Sequence, residues 1–344
     1  MRFQVAPAPH APALVNVPLV MRRVLYALVP AAIVYVWFFG FGLMINFALA
    51  AAAALLTEGA VLKLRGRPTR LALRDGSALV TAALLTFALP PLVPWWIPAF
   101  GAAVAITLAK QVYGGLGKNL FNPAMVGYAV LLISFPVEMT QWIPPRMGDL
   151  DYQHLDFVAS LNYSLTGRLP AGLDIDTLTR ATPLDIVKEG LRSARAFGEL
   201  RSGSLFGDFG GRGWEWVNNL IAVGGLYLLY ARVIRWHIPV ALFAGLLIPA
   251  TALYFLDTSH YAAPGFHLFS GASMLGAFFI ATDPVSAATT DRGRLIYGAG
   301  IGALTYAIRT WGGYPDGLAF AVLLMNACVP LIDRYTRPRI YGQR

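Results

Sequence analysis

Ser77-Ala-Leu-Val-Thr-Ala-Ala-Leu-Leu-Thr-Phe-Ala-Leu-Pro90 has a counterpart 194 residues further on, Gly271-Ala-Ser-Met-Leu-Gly-Ala-Phe-Phe-Ile-Ala-Thr-Asp-Pro284. Both are runs of small and apolar residues closed by a proline. Gly114-Gly115 likewise stands ahead of one apolar run as Gly312-Gly313 stands ahead of another. Small apolar residues recur in any membrane helix, so each match alone says little. Their common order and similar offset point to a duplicated unit.

The composition around these runs sets the class. Of 344 residues, 57% are hydrophobic and 13% charged, with mean hydropathy +0.57. A soluble domain carries about 25% charged residues, so an all-α polytopic membrane protein is expected. Apolar spans are predicted at Met21–Phe39, Gly42–Leu62, Ser77–Leu89, Trp95–Val112 and Pro123–Phe135. A second set follows at Glu215–Tyr230, Ile238–Leu256, Gly265–Thr282, Leu295–Thr310 and Gly317–Ile332. A full crossing needs about 20 apolar residues, so the third and fifth are short, as broken or half-crossing helices are. Ten transmembrane helices in two five-helix repeats result, and an odd number per repeat forces the second copy into inverted orientation.

Between the halves, Val137–Gly213 carries ten acids and eight bases and reads as an external loop domain. The expected division is 1–20 as an arm, 21–136 as the first repeat, 137–213 as the loop domain, 214–335 as the second repeat and 336–344 as a tail. The net charge of +9 does not suggest nucleic acid, because the basic residues flank apolar runs. Arg22, Arg23, Lys63, Arg65, Arg67, Arg70, Arg74, Lys110 and Lys118 fall on one side. So do Arg232, Arg235, Arg292, Arg294, Arg334, Arg337, Arg339 and Arg344. The positive-inside rule makes that side and both termini cytoplasmic, and the island external. The single cysteine, Cys328, can neither form an internal disulfide nor hold an iron–sulfur cluster alone.

Inside the island runs Asp174-Ile-Asp-Thr-Leu-Thr-Arg-Ala-Thr-Pro-Leu-Asp185. Thr182 suits an N-cap, Pro183 the first helical position, and Asp185 the positive end of the helix dipole. That is an ordinary helix start, and it is also a place where a phosphate is welcome. Spacing leaves both readings open. Gly114-Gly-Leu-Gly-Lys-Asn-Leu-Phe-Asn-Pro-Ala124 gives a pliable backbone and two amides, Asn119 and Asn122, but no phosphate-binding Gly-Lys-Ser/Thr. Glu58 is a carboxylate within an apolar run and a candidate for an ion-linked role; Asp283 and Asp316 lie at span ends. The five histidines show no metal-ligand spacing, so no metal site is expected. Nor does any nucleophile–base pairing mark a catalytic residue. Trp142, Trp214 and Trp216 are interfacial anchors by default and are placed to stack on a flat ring.

The stretch Gly114–Pro136 resembles a signature of the RnfD/NqrB family, and three further stretches agree: Ser270–Pro284, Gly312–Leu324 and Thr336-Arg-Pro-Arg339. The resemblance covers essentially the whole chain, whose compact length is nearer RnfD than NqrB. It implies a ten-span fold like that of urea and ammonium channels. It also implies an electron-transfer subunit in a complex with RnfA, RnfB, RnfC, RnfE and RnfG in the bacterial inner membrane. Such complexes couple electron exchange between NAD(H) and ferredoxin to Na⁺ or H⁺ translocation, so the subunit is not catalytic alone. The resemblance further implies FMN joined through its phosphate to a threonine by an ApbE-type flavin transferase, and a non-covalent riboflavin. The attachment pattern Asp-x-x-Ser/Thr-Gly-Ala-Thr is similar to Asp176, Thr179, Ala181 and Thr182, with Arg180 replacing the glycine. Asn119 and Asn122 are the first places to look for riboflavin. Ser273 is a rival attachment point, since Ser270-Gly-Ala-Ser273 keeps the glycine; His267, however, stands where the pattern has Asp, and Ser273 falls in an apolar span. A urea- or ammonium-type channel and a structural anchor without cofactor are the competing functions.

Overall fold

A computed structural model describes residues 16–148 and 153–337. Most of the expected arm and most of the tail therefore lie outside the described residues. Within them the protein is helical, and its β-structure is a single isolated bridge between Phe206 and Gly211.

The first half contributes α1 (Val17–Phe39), α2 (Gly42–Leu64), α3 (Ser77–Phe87), α4 (Trp96–Val104) and α5 (Pro123–Ser134). Helix α1 starts four residues earlier than its apolar run, because Asn16 caps it by accepting from Leu19 N. Helix α4 does not end at Val104 but runs on as a π-helical stretch, Ala105–Gln111. Asn122 caps α5 by accepting from Met125 N, with Pro123 in the first turn.

Short helices follow at Pro136–Thr140, Phe157–Thr166 and Ile175–Leu178, and then α6 (Pro183–Arg192). The second half is α7 (Trp214–Tyr230), α8 (His237–Leu256), α9 (Pro264–Phe269), α10 (Asp291–Trp311) and α11 (Leu318–Thr336). The run expected as one span at Gly265–Thr282 is broken. Helix α9 stops at Phe269, Ser270 is extended, and a turn at Ser273–Leu275 leads into a π-helical segment, Gly276–Ile280. Its glycines and buried polar groups make a continuous helix unnecessary, since neighbouring helices satisfy the freed backbone.

Among the described residues four helices, α1, α2, α8 and α11, are long and apolar enough to cross a membrane, and α3 and α5 are shorter apolar helices. Tyr26, Ile33 and Trp37 on α1 and Ile248 and Phe255 on α8 are exposed, an apolar exterior suited to lipid. Close packing relies on small residues. Helix α8 lies along α10, and a Cβ added to Gly302 would come within 2.1 Å of Leu242 O, so the backbones touch there. Helix α2 packs on α4 and its π extension, α1 on α7, and α5 on α11.

The island has its own small core. Leu184 and Val187 of α6 are buried with Phe197, Phe206 and, from α9, Phe266. Lys188 and Arg192 fix the opposite side of α6. Lys188 Nζ donates to Ile308 O at 3.2 Å, to Arg309 O at 3.3 Å and to Tyr314 O, and Arg192 donates to Gly312 O at 2.8 Å. Those carbonyls belong to the C-terminal end of α10 and the loop after it, where positive charge is favoured. Helix α6 is thus held over the membrane helices.

Candidate functional site

Thr182 forms a reciprocal capping box with Asp185. Thr182 Oγ1 accepts from Asp185 N at 3.2 Å, and Asp185 Oδ2 accepts from Thr182 N at 3.0 Å and from Thr182 Oγ1 at 2.5 Å. The ordinary helix-start reading therefore holds for the local structure. Both residues are half-buried, and both line a cavity of about 280 Å³.

That cavity lies between α6 and the helices below. Tyr35, Phe87, Tyr128, Trp142, Trp214 and Tyr314 supply aromatic surface, and Asn218, Ser270 and Asp316 supply polar groups. Trp142 and Trp214 meet edge to face with centroids 5.2 Å apart, and Trp214 packs 4.4 Å from Phe39. Two polar atoms at the wall have no hydrogen-bond partner among the described residues: Asn218 Oδ1 and Ser270 Oγ. Both side chains are almost fully buried. Buried orphan atoms of this kind are costly unless something supplies the missing bond. A flat ring with a polar edge fits such a chamber: aromatic walls for its faces, unmatched groups for its rim.

The other residues of the attachment pattern take no part in the cavity. Asp176, Arg180 and Ala181 are not buried, and Thr179 Oγ1 donates to Ile175 O at 3.0 Å. Arg180 donates to Asp176 O at 2.9 Å and to Thr179 O at 2.7 Å, so its long side chain folds back on this short run. Ser273 is fully buried, and its hydroxyl donates to His267 O at 2.7 Å and Ser270 O at 3.3 Å. Of the three tryptophans read as stacking candidates, Trp142 and Trp214 line the cavity. Trp216 is a correction: it is 58% exposed, because it falls on the outer face of α7.

Below the aromatic cavity, Arg309 of α10 is buried. It donates to His267 O at 2.7 Å, to Ser270 O at 3.1 Å and to Asp316 Oδ1 at 3.2 and 3.0 Å. Asp316 Oδ2 accepts from Ala272 N at 2.7 Å. Asp316 is thus no isolated carboxylate. Lys188, outside the membrane helices, is pulled down to about 8 by burial, with Arg192 acting the same way and Asp185 opposing. The three carbonyl oxygens around its ammonium work against that shift.

In the other half, Glu58 is not alone in its span. Lys110 Nζ lies 2.5 Å from Glu58 Oε1, and Gln111 Nε2 donates to the same oxygen at 2.9 Å. Lys110 also donates to Ser77 Oγ at 2.6 Å. Lys110, counted from sequence among the cytoplasmic-side charges, is 2% exposed, because the π-helical turn swings it toward α2. Glu58 Oε2 and Gln111 Oε1 have no partner among the described residues. The signal available in the sequence was a lysine and a glutamine within an apolar run.

Asn119 and Asn122 line a second cavity of about 90 Å³ together with Lys110, Ser77 and Asp283. Asn122 Nδ2 donates to Ile280 O at 3.1 Å, and its N–H donates to Asn326 Oδ1 at 3.0 Å. Asn326, which no sequence motif marks, also donates to Tyr297 Oη at 2.7 Å and so ties α5 to α10 and α11. Asn119 Nδ2 donates to Phe121 O at 3.1 Å. Among the described residues no cluster of metal-ligating side chains occurs.

Apolar crossing helices that support a polar island over an aromatic chamber define a multi-pass membrane protein with an aromatic cavity beside the island. The chain belongs to the NQR2, RnfD, RnfE family, whose sequence model matches residues 4–342. It is 52% identical to the D subunit of the ion-translocating oxidoreductase complex of Aeromonas hydrophila over 99% of both chains. The corresponding protein of Vibrio cholerae is 50% identical over 99% of this chain and 100% of its own. That of Yersinia pseudotuberculosis is 52% identical over 94% of each.

Proposed function

We propose that the chain is the membrane electron-transfer subunit of an ion-translocating oxidoreductase complex, with FMN esterified through its phosphate to Thr182. The observation that carries the flavin reading is the aromatic cavity at Thr182, with the orphan atoms Asn218 Oδ1 and Ser270 Oγ in its wall. When bound, the flavin supplies one- and two-electron transfer. The chain's own part is to tether and orient it. Thr182 fixes the phosphate at the head of α6, where the helix dipole favours negative charge. Trp142 and Trp214 line the cavity and would cover the ring and keep water from it. Lys188 and Arg192 hold α6 to the loop that carries Tyr314.

Ten crossings in two inverted repeats go with this function, with both termini in the cytoplasm of a bacterial inner-membrane protein and 137–213 outside. The pairing of α2 with α4 and of α8 with α10 supports it, as do the contacts of α1 with α7 and α5 with α11. Helix α2 meets α4 as α8 meets α10, and α1 and α5 each touch the helix at the same place in the other half. The complex would couple electron exchange between NAD(H) and ferredoxin to Na⁺ or H⁺ movement. Its other members would be RnfA, RnfB, RnfC, RnfE and RnfG, and a flavin transferase of the ApbE type would load Thr182. Riboflavin would belong to the second cavity beside Asn119 and Asn122. Glu58 would serve ion coupling, its Oε2 being the acceptor available to a cation or a proton.

The test is flavin fluorescence of the denatured polypeptide on a gel. Thr182→Ala abolishes it and Ser273→Ala leaves it intact. Fluorescence that survives Thr182→Ala would overturn the assignment.

A further inference from the structure

Resting on that reading of Thr182, we propose that Asp185 is the general base that prepares the Thr182 hydroxyl for its own esterification. The island thus contributes a catalytic group to its modification and is more than a passive acceptor.

The geometry is that of a nucleophile already paired with its base. Thr182 Oγ1 donates its proton to Asp185 Oδ2 at 2.5 Å, within the reach required of general-base catalysis. The carboxylate is itself held in place, because the same Oδ2 accepts from Thr182 N at 3.0 Å. Asp185 N–H donates to Thr182 Oγ1 at 3.2 Å and engages one lone pair of the hydroxyl oxygen. The other lone pair is left for attack on phosphorus. Both side chains are half-buried at the rim of the aromatic cavity, open to an incoming flavin. Two independent atoms in that cavity, Asn218 Oδ1 and Ser270 Oγ, are buried without partners among the described residues.

Neighbouring hydroxyls lack this arrangement. Thr177 Oγ1 donates to Asp174 O at 2.6 Å, Thr179 Oγ1 to Ile175 O, and Ser273 Oγ to His267 O and Ser270 O. A backbone carbonyl accepts a hydrogen bond but cannot take the proton at neutral pH. Ser77, Ser259, Ser286 and Thr289 do donate to carboxylates, of Asp75, Asp257, Asp283 and Asp333, but none of these hydroxyls lines the aromatic cavity. Base and cavity coincide at Thr182.

The step balances with a flavin dinucleotide as donor. Thr182 Oγ attacks the flavin-side phosphorus of the pyrophosphate and forms the new O–P bond. The P–O bond to the second phosphate breaks, and adenosine monophosphate leaves with that electron pair. The hydroxyl proton passes to Asp185 and then to water. No electron is gained or lost by the flavin. Once Oγ is esterified it can no longer donate, and Asp185 keeps its bond to the Thr182 amide.

The experiment uses the whole complex made without its flavin transferase, then incubated with transferase and flavin adenine dinucleotide. Covalent flavin on the denatured polypeptide is followed against time by in-gel fluorescence and intact mass. Asp185→Asn keeps an acceptor for both Thr182 donors, and so keeps the helix cap, but cannot take a proton. Its labelling is expected to slow by about 100-fold, the scale of a lost general base. Asp185→Glu should recover much of the rate. Asp185→Ser, a second variant that retains a cap acceptor, should be as slow as Asn and serves if Asn does not assemble. Wild-type labelling rates in Asp185→Asn or Asp185→Ser would overturn the proposal while leaving attachment at Thr182 standing. Label that persists in Thr182→Ala would instead remove the attachment reading itself.

Discussion

Two ion pairs, each with a buried cation just ahead of one of the two Gly-Gly sequences, are built differently. Arg309, three residues before Gly312, uses its guanidinium on two carbonyls and on Asp316, which in turn accepts from Ala272 N and Leu318 N. Its polar atoms are matched. Lys110, four residues before Gly114, meets Glu58 and Ser77, yet Glu58 Oε2 and Gln111 Oε1 are left without partners among the described residues. Arginine's planar fork suits a fixed multi-point lock, while lysine is a compact charge on a flexible stem. The first pair holds the floor of the aromatic cavity. The second leaves two acceptor atoms unmatched among the described residues.

The sharpest way to break this contrast is Arg309→Leu. It leaves His267 O, Ser270 O and the Asp316 carboxylate without their donor, and removal of one partner from a buried pair costs about 3–5 kcal/mol. The complex should lose a corresponding part of its thermal stability in detergent and assemble poorly. Unaltered melting would show that the pair is no lock.

Glu58→Gln comes next. It leaves Lys110 with the Ser77 hydroxyl and a neutral amide, at a cost of about 3 kcal/mol, and ion-dependent turnover of the complex should collapse. Adding Lys110→Met should restore the melting temperature without restoring ion dependence. Ion dependence unchanged in Glu58→Gln would make this pair a second lock.

Lys188→Met tests whether the locked side also steadies α6. Hydrogen bonds from a charged donor contribute about 1.5–3 kcal/mol, so amide exchange across Pro183–Arg192 should quicken by at least about tenfold. Covalent flavin on Thr182 should remain, because the attachment point and Asp185 are untouched. Exchange at the wild-type rate would argue that the apolar contacts with Phe197, Phe206 and Phe266 suffice.

The smallest effect is expected for Gln111→Leu. It removes one hydrogen bond to Glu58 and one orphan acceptor together, and the two nearly offset, within about 1 kcal/mol. If Gln111 Oε1 belongs to an ion path, turnover falls while melting stays level. Parallel loss of both would assign the residue to packing alone.

The sequence by itself determined the membrane class, the helical character and the ends of most helices. These follow from apolar run length and from local caps such as Asn122-Pro123 and Thr182-Pro183, which need no distant partner. It also singled out Thr182 and Glu58, because a helix cap in a polar island and a carboxylate in an apolar run stand out against their surroundings. Only the tertiary structure decided what faces them. Lys110 reads as one more basic residue near a span end until the π-helical turn carries it to Glu58, 52 residues earlier in the chain. Arg309 meets the carbonyl of His267, 42 residues earlier, and the aromatic cavity draws on Tyr35, Trp142, Trp214 and Tyr314 from four separate segments. Local signals are written in neighbouring residues. Burial and partnership depend on which helices pack together, and in a chain of similar apolar spans that choice rests on shape and on small residues such as Gly302 rather than on any motif.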